Sequence, residues 1–393
     1  MAPREMKRVA YDLRWRSGTL DHYVSLLLAA LVAEGSGEFH FVCYGDPKDR
    51  EWVQRLGEAA EFRAALWPRY GLAAQIAFPR ALRKDRIQLL HCPFYVMPLW
   101  AGVPTVVTFH DVIPFTPYAD KRGLARSMVC SMYRVAALRA TAIVTVSNFS
   151  RRDIVRVLRV PESKVTVAHD APGPYAFLEP RPECYAAYTP YFACMTARHV
   201  ESKNTVVAVK AWRIFRERTG LPHQLLIGGK TTEQGKALLA QAGCGAGCHL
   251  VGFIPDAQLS SFFHSAEAFI IPSLYEGFGL PPLEAMAAGA PVLSSNAASL
   301  PEVCGDAALY FNPTSAEELA NLMAQVAQDA SLRARLAEQG RLRARQFSYQ
   351  QSARRILELY RTLLSGHQGS SPAAAPEERW VARNAENRGA PMR

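Results

Sequence analysis

At 393 residues, 49% hydrophobic and 20% charged, the chain has the composition of a soluble globular protein and the length of two domains. Its longest apolar stretch, residues 23–33, is too short to span a bilayer, and the charged start Met1–Arg8 has no signal-peptide core behind it, so a cytoplasmic place is expected. A net charge of +10 calls for an anionic partner, nucleotide or lipid head group, and the lack of any recognisable nucleic-acid module argues against DNA or RNA.

In chain order, the first half alternates short apolar strands near residues 8–11, 39–44, 89–91, 105–109, 142–146 and 165–168 with helical patterns, which predicts a doubly wound parallel sheet. Behind the first strand, Gly18 supplies a turn and Asp21 follows it closely. The apolar and aromatic run 67–78 leads into Arg80, Arg83, Lys84 and Arg86, and Arg151, Arg152, Arg156 and Arg159 form a second basic group. Basic residues beside an apolar face fit a peripheral membrane contact or a solvated helix face. His110 and Asp111 end the strand 105–109, where such a pair serves a ligand or a buried structural hydrogen bond, and Ser147 or Asn148 caps the helix that follows strand 142–146.

The proline-rich stretch 171–182 reads as a linker. A second alternating series follows it, with strands near 191–196, 224–227, 250–251, 268–271, 291–293 and 308–311, so two sheets are expected to face each other across a cleft. Arg198 and Lys203, in one loop behind the first of these strands, can both reach a diphosphate, the arginine as a fork and the lysine as a point charge. The cysteines read as reduced, buried thiols. Cys244, Cys248 and His249 share a loop but have the wrong spacing for a zinc knuckle. From Gly366 the chain is rich in Gly, Ser, Pro, Ala and charge, which predicts disorder.

The richest segment runs from Ser273 to Val292. A strand leads into a turn in which Gly277 and Gly279 let the backbone approach a ligand, Pro281 and Pro282 suit a first helical turn, and Gly289 with Pro291 ends the helix. Amides at Gly277, Phe278, Gly279 and Leu280 favour an anion such as a diphosphate. Glu276 in the turn and Glu284, expected in the first helical turn, can accept hydrogen bonds from sugar hydroxyls, one near a transferred sugar and one near a ribose. A glutamate there can also merely complement the helix dipole.

The spacing Glu276-x7-Glu284 inside Glu-Gly-Phe-Gly-Leu-Pro-Pro-Leu-Glu-Ala-Met-Ala-Ala-Gly resembles the donor motif of the retaining glycosyltransferases of family four, which have the GT-B fold. The resemblance covers residues 8–365 and includes Val251–Asp256, Leu225–Gly229, Ser295-Asn296, Leu300–Val303, Gly305–Ala308 and Phe347–Tyr349. It implies two Rossmann-like domains: 1–178 on the acceptor side and 183–346 for the nucleotide sugar, with 347–365 as a helix returning to the first domain. It also implies that Arg198 and Lys203 hold the departing nucleotide phosphate, and that His110, in a His-Asp-x-Ile-Pro segment, faces the donor sugar with Asp111 orienting its loop.

The activity so implied is retaining transfer from a nucleotide diphosphate sugar to a glycan or lipid-linked acceptor, and the His-Asp-x-Ile-Pro type leans to GDP-mannose. Breaking the sugar–phosphate bond builds negative charge on the diphosphate, which Arg198, Lys203 and the amides of 277–280 can meet. The sequence has no Asp-x-Asp clamp, so neither metal nor cofactor is expected beyond the donor itself. Relative to the family's Gly-x-Gly turn after the first strand, Asp21 occupies about the place of the second glycine and would bring negative charge towards phosphate. Two alternatives remain: a sugar-nucleotide epimerase, which the GT-B fold can also house, and a non-catalytic or partner-dependent sugar-nucleotide binder, which Asp21 would mark.

Overall fold

The computed structural model describes residues 6–16, 18–119, 121–197 and 200–365. Arg198 and the segment 366–393, two subjects of the sequence reading, lie outside the described residues. Strands β1 (Lys7–Asp12), β2 (Phe39–Gly45), β3 (Ala60–Ala64), β4 (Leu89–Cys92), β5 (Thr105–Phe109), β6 (Ala142–Thr145) and β7 (Val165–Val167) form one sheet, in the order β3-β2-β1-β4-β5-β6-β7. Strands β8 (Tyr191–Met195), β9 (Gln224–Gly228), β10 (Cys248–Gly252), β11 (Ala268–Ile271), β12 (Val292–Ser295) and β13 (Ala308–Phe311) form the other, in the order β10-β9-β8-β11-β12-β13. Neighbours pair in parallel, with Val9 opposite both Phe41 and Leu89 in the first sheet and Phe269 opposite both Ala193 and Val292 in the second. Central strands are covered on both faces, so they read as unbroken apolar runs.

β3 is not announced by its sequence. Only Phe62 is buried there, while Glu61 and Arg63 face outward, pair with each other, and reach Arg8 (3.1 Å) and Asp85 (3.4 Å). Charge on an edge strand blocks further strand addition.

Each sheet reverses its strand order once, between β1 and β4 in the first and between β8 and β11 in the second. Crevices open at the carboxyl ends of strands at such points. The helix Tyr349–Leu364 packs on Asp21–Glu34 of the first sheet's layer, with Arg354 on Glu34 (2.7 Å), and reaches Glu38, just before β2, through Arg361 (2.9 Å). Tyr360 meets the fully buried His91 at 2.6 Å, and the other ring nitrogen of His91 meets Thr108 at 3.0 Å; burial lowers this imidazole to about 3 and keeps it neutral.

Cys244 and Cys248 are joined as a disulfide with a Cα–Cα distance of 5.1 Å, which corrects the reading of the cysteines as uniformly reduced. The turn before β10 folds back and brings the two thiols together, while His249 turns to Gln224 (2.6 Å). Among the described residues, no helix is long and apolar enough to cross a membrane.

Candidate active site

The donor turn leaves β11 and ends at the helix Leu280–Ala288. Gly279, directly before that helix, has φ +97°, and a Cβ there would lie 2.7 Å from Leu300 Cδ2, so both conformation and space require glycine. Pro281 and Pro282 carry no N–H, which leaves the amides of Gly277, Phe278, Gly279 and Leu280 as the ones able to meet an anion. The Phe278 ring is buried against His169 and Phe347.

At Gly277 the two halves touch closely. A Cβ on it would lie 2.3 Å from the carbonyl oxygen of His110, and its own carbonyl accepts from Ser147 Oγ (2.5 Å) and Ser150 Oγ (2.9 Å). Gly277→Ala is expected to force the halves apart, with a loss of about 1–3 kcal/mol and lower turnover. A thermal melt paired with an activity assay checks this; unchanged melting and turnover would contradict the contact.

The switch point of the second sheet brings two predicted site residues together. Lys203 ends the short helix Val200–Lys203 behind β8, and its Nζ donates to Glu276 Oε1 at 2.7 Å. Ser273 Oγ donates to the same carboxylate oxygen at 2.7 Å. The glutamate's side chain is only 12% exposed, so the pair forms a preset charge couple beside the 277–280 amides.

Glu284 departs from its expected placement. It is the fifth residue of the helix rather than part of the first turn, because the helix starts only after Gly279 in its left-handed conformation, and it is buried. It accepts a 2.6 Å hydrogen bond from Tyr175 of the linker. Burial pushes its carboxyl up to about 7, against the Tyr175 hydrogen bond and with the added charges of Asp170 and Asp256. Asp170 is itself raised by burial to about 6 and accepts from Tyr349 at 2.6 Å. Asp256 pairs with His22 (3.3 Å), and the His22 ring lies 4.9 Å from that of Tyr175.

His110 stands half-buried at the end of β5, its ring 4.5 Å from that of Tyr23. Its Nε2 lies 3.2 Å from the carbonyl of Pro93, which can only accept, so Nε2 carries the proton and Nδ1 is the acceptor. Burial lowers the imidazole to about 4, against the Pro93 hydrogen bond, and makes it a neutral group. Asp111 accepts from the amide of Ile113 (2.8 Å) and so fixes the loop.

Gly18, at φ +59° and exposed, lies elsewhere in the first half. It lines a cavity of about 580 Å³ with Arg16, Asp21, Lys48, Asp49 and Trp52, to which no donor-turn residue contributes. Asp21 does not carry bare charge towards phosphate: it opens the helix Asp21–Glu34 and pairs with Arg16 at 2.9 Å, and Arg16 also binds Asp49 at 2.8 Å.

Several residues had no role in the sequence reading. Glu302 reaches from the second half to the start of the helix Asn148–Leu158, accepting from the amides of Asn148 (2.7 Å) and Phe149 (2.9 Å) and meeting His169 Nε2 at 3.2 Å. Burial raises its carboxyl, but these hydrogen bonds outweigh that and hold it below the ordinary range. The Leu300–Val303 motif is visible, yet nothing in one sequence tells which helix start a distant glutamate caps. Tyr175 had no signal beyond its place in a proline-rich linker. Among the described residues, no three His, Cys, Asp or Glu side chains are grouped so as to hold a metal ion.

Two doubly wound parallel sheets with a glycine-rich, two-glutamate turn against a His-Asp loop define the GT-B architecture. The model of "Glycosyltransferase Family 4" matches residues 20–171, and that of "Glycosyl transferases group 1" matches 185–343. O-antigen chain mannosyltransferase B of Escherichia coli is 31% identical over 297 residues, 72% of this chain and 76% of that protein. Among solved structures, sucrose-phosphate synthase of Thermosynechococcus elongatus superposes with a TM-score of 0.71 at 20% identity, over 92% of this chain and 100% of that one. Anabaena HepE in complex with UDP-glucose superposes with a TM-score of 0.69 at 15% identity, over 91% of this chain and 100% of that one. The chain therefore belongs to the family-four, group 1 glycosyltransferases, enzymes that move a sugar from a nucleotide-sugar donor to a glycan or lipid acceptor.

Proposed function

We propose that the protein is a retaining, metal-independent mannosyltransferase that uses GDP-mannose, with residues 1–178 on the acceptor side, 183–346 holding the donor and 347–365 bracing the first domain. The observation that carries the reading is the Lys203–Glu276 couple at the donor turn, together with neutral His110. Lys203, with Arg198 and the amides of 277–280, meets the charge growing on the diphosphate; Glu276 and the Nδ1 face of His110 accept hydroxyls of the sugar. The acceptor hydroxyl attacks the anomeric carbon on the face the diphosphate leaves: the C–O bond to phosphate breaks, the new glycosidic bond forms, and the hydroxyl proton passes to the departing phosphate. The mannosyl donor is supported by the His-Asp-x-Ile-Pro segment and by the name of the E. coli relative.

Incubation with GDP-mannose and a mannose-terminated oligosaccharide, followed by NMR of the product, tests this. An α-linked product, GDP released one for one and no effect of EDTA are expected. A β-linkage, or GDP released without transfer, would overturn the reading.

Glu284 is assigned to the ribose diol, where donor takes the place of Tyr175. With its carboxyl at about 7, the ionised form that accepts both hydroxyls grows as pH rises. Donor affinity is expected to increase about tenfold from about pH 6 to about pH 8 and to lose that dependence in Glu284→Gln. The linkage for folding has the opposite sense. The native carboxyl binds its proton more tightly than the unfolded one, so this group's contribution to stability falls as pH rises from 4.5 to about 7. Calorimetric titration across pH checks the first, and denaturant melts check the second.

A further inference from the structure

We infer that the outer face of the first domain, built from the helices Leu72–Lys84 and Gly123–Arg139 and the loop between β4 and β5, docks on an anionic lipid bilayer. On Gly123–Arg139 the buried side carries Cys130, Tyr133, Ala136 and Ala137, yet a second apolar stripe faces outward: Leu124, Met128, Val135 and Leu138, at helical spacing. Leu124 and Leu138 are 79% and 75% exposed. On Leu72–Lys84 the outward row runs Leu72, Ile76, Arg80 and Arg83, apolar at one end and basic at the other, with Leu72 82% exposed.

The loop joins the two helices into one surface. Gln75 donates to the Met97 carbonyl (3.3 Å) and accepts from the Leu99 amide (2.7 Å), while Trp100, 66% exposed, lies under the Arg139 guanidinium at 5.1 Å. A tryptophan beside basic residues suits the interfacial layer of a membrane.

Charge selects the occupant. Residues 64–140 carry ten Lys and Arg against three Asp and no Glu, and neither helix contains an acid. A second copy of the chain would bring the same cations face to face, whereas anionic head groups complement them and the apolar stripe enters the acyl boundary. The same loop carries Pro93, whose carbonyl holds His110, so a docked bilayer lies against the element that sets the acceptor side of the cleft.

Flotation of the full chain with phosphatidylcholine vesicles, and with vesicles containing about one third phosphatidylglycerol, tests the inference without any donor, so it stands or falls apart from the proposed chemistry. Binding to the anionic vesicles alone, weakened by salt, is expected. Arg80→Glu with Arg83→Glu should lower partitioning at least about 20-fold, and Leu124→Ser with Leu138→Ser about tenfold or more, with melting temperatures unchanged because all four side chains are solvent-facing. No binding to anionic vesicles, or binding that neither double variant weakens, overturns it. So does a dimer in solution that Leu124→Ser with Leu138→Ser dissolves, since the stripe would then belong to a second copy.

Discussion

Lys203→Ala is expected to reduce turnover by about 10²–10³-fold, the usual size for removing a preorganised cation from a site where charge develops. The residue lies behind β8 at the point where the second sheet reverses, and its ammonium is already held 2.7 Å from Glu276. In the proposed mechanism that arrangement spares reorganisation, because the cation is in place before the donor arrives. Removing it also strands a largely buried carboxylate, at a cost of about 1–3 kcal/mol. The two effects separate experimentally. Glu276→Gln in the Lys203→Ala background removes the stranded charge and should recover melting temperature without recovering turnover. A Lys203→Ala enzyme with near-normal kcat would show that the lysine serves only the fold.

Glu302→Ala should give the largest loss of stability, about 2–4 kcal/mol, and a more open cleft. Its carboxylate takes the place that an anion would have at the start of the helix Asn148–Leu158, and it also meets His169. The alanine variant leaves two amides and an imidazole of the first domain unmatched and cuts one of the few polar links that cross the cleft, alongside Ser147 and Ser150 on Gly277 and Tyr275 on Asp153 (3.0 Å). Because the folded carboxyl lies below its ordinary value, this stabilisation is present above the ordinary carboxyl range and is lost as pH falls through the lowered value. Small-angle scattering and thermal melting together check the prediction; a variant with unchanged melting and unchanged radius of gyration would contradict the clasp.

These two residues differ in how far their sequence context announces them. Lys203 and Glu276 were legible because each stands next to a strand end, and the doubly wound pattern dictates that loops at the carboxyl ends of β8 and β11 are neighbours. The turn was legible for a local reason, since Gly279, two prolines and Gly289 are requirements of backbone geometry. Glu302, His169 and Tyr175 were not, because each acts across the cleft on a partner more than 100 positions away, and no local periodicity records such pairings. β3 escaped for a different reason: an edge strand buries one side chain, Phe62, and its charged neighbours look like loop. For Asp21 a sequence shows a charge at a position but not the arginine, Arg16, that pairs with it.

The proposed function has a nucleotide sugar bound at the donor turn with its ribose on Glu284. Calorimetric titration of the wild type and of Glu284→Ala with GDP-mannose, UDP-glucose and ADP-glucose above neutral pH addresses it most directly. Saturable binding of GDP-mannose in preference to the others, undiminished by EDTA and greatly weakened in the variant, is expected. Equal affinity in wild type and Glu284→Ala, or no binding of any of the three, would contradict it.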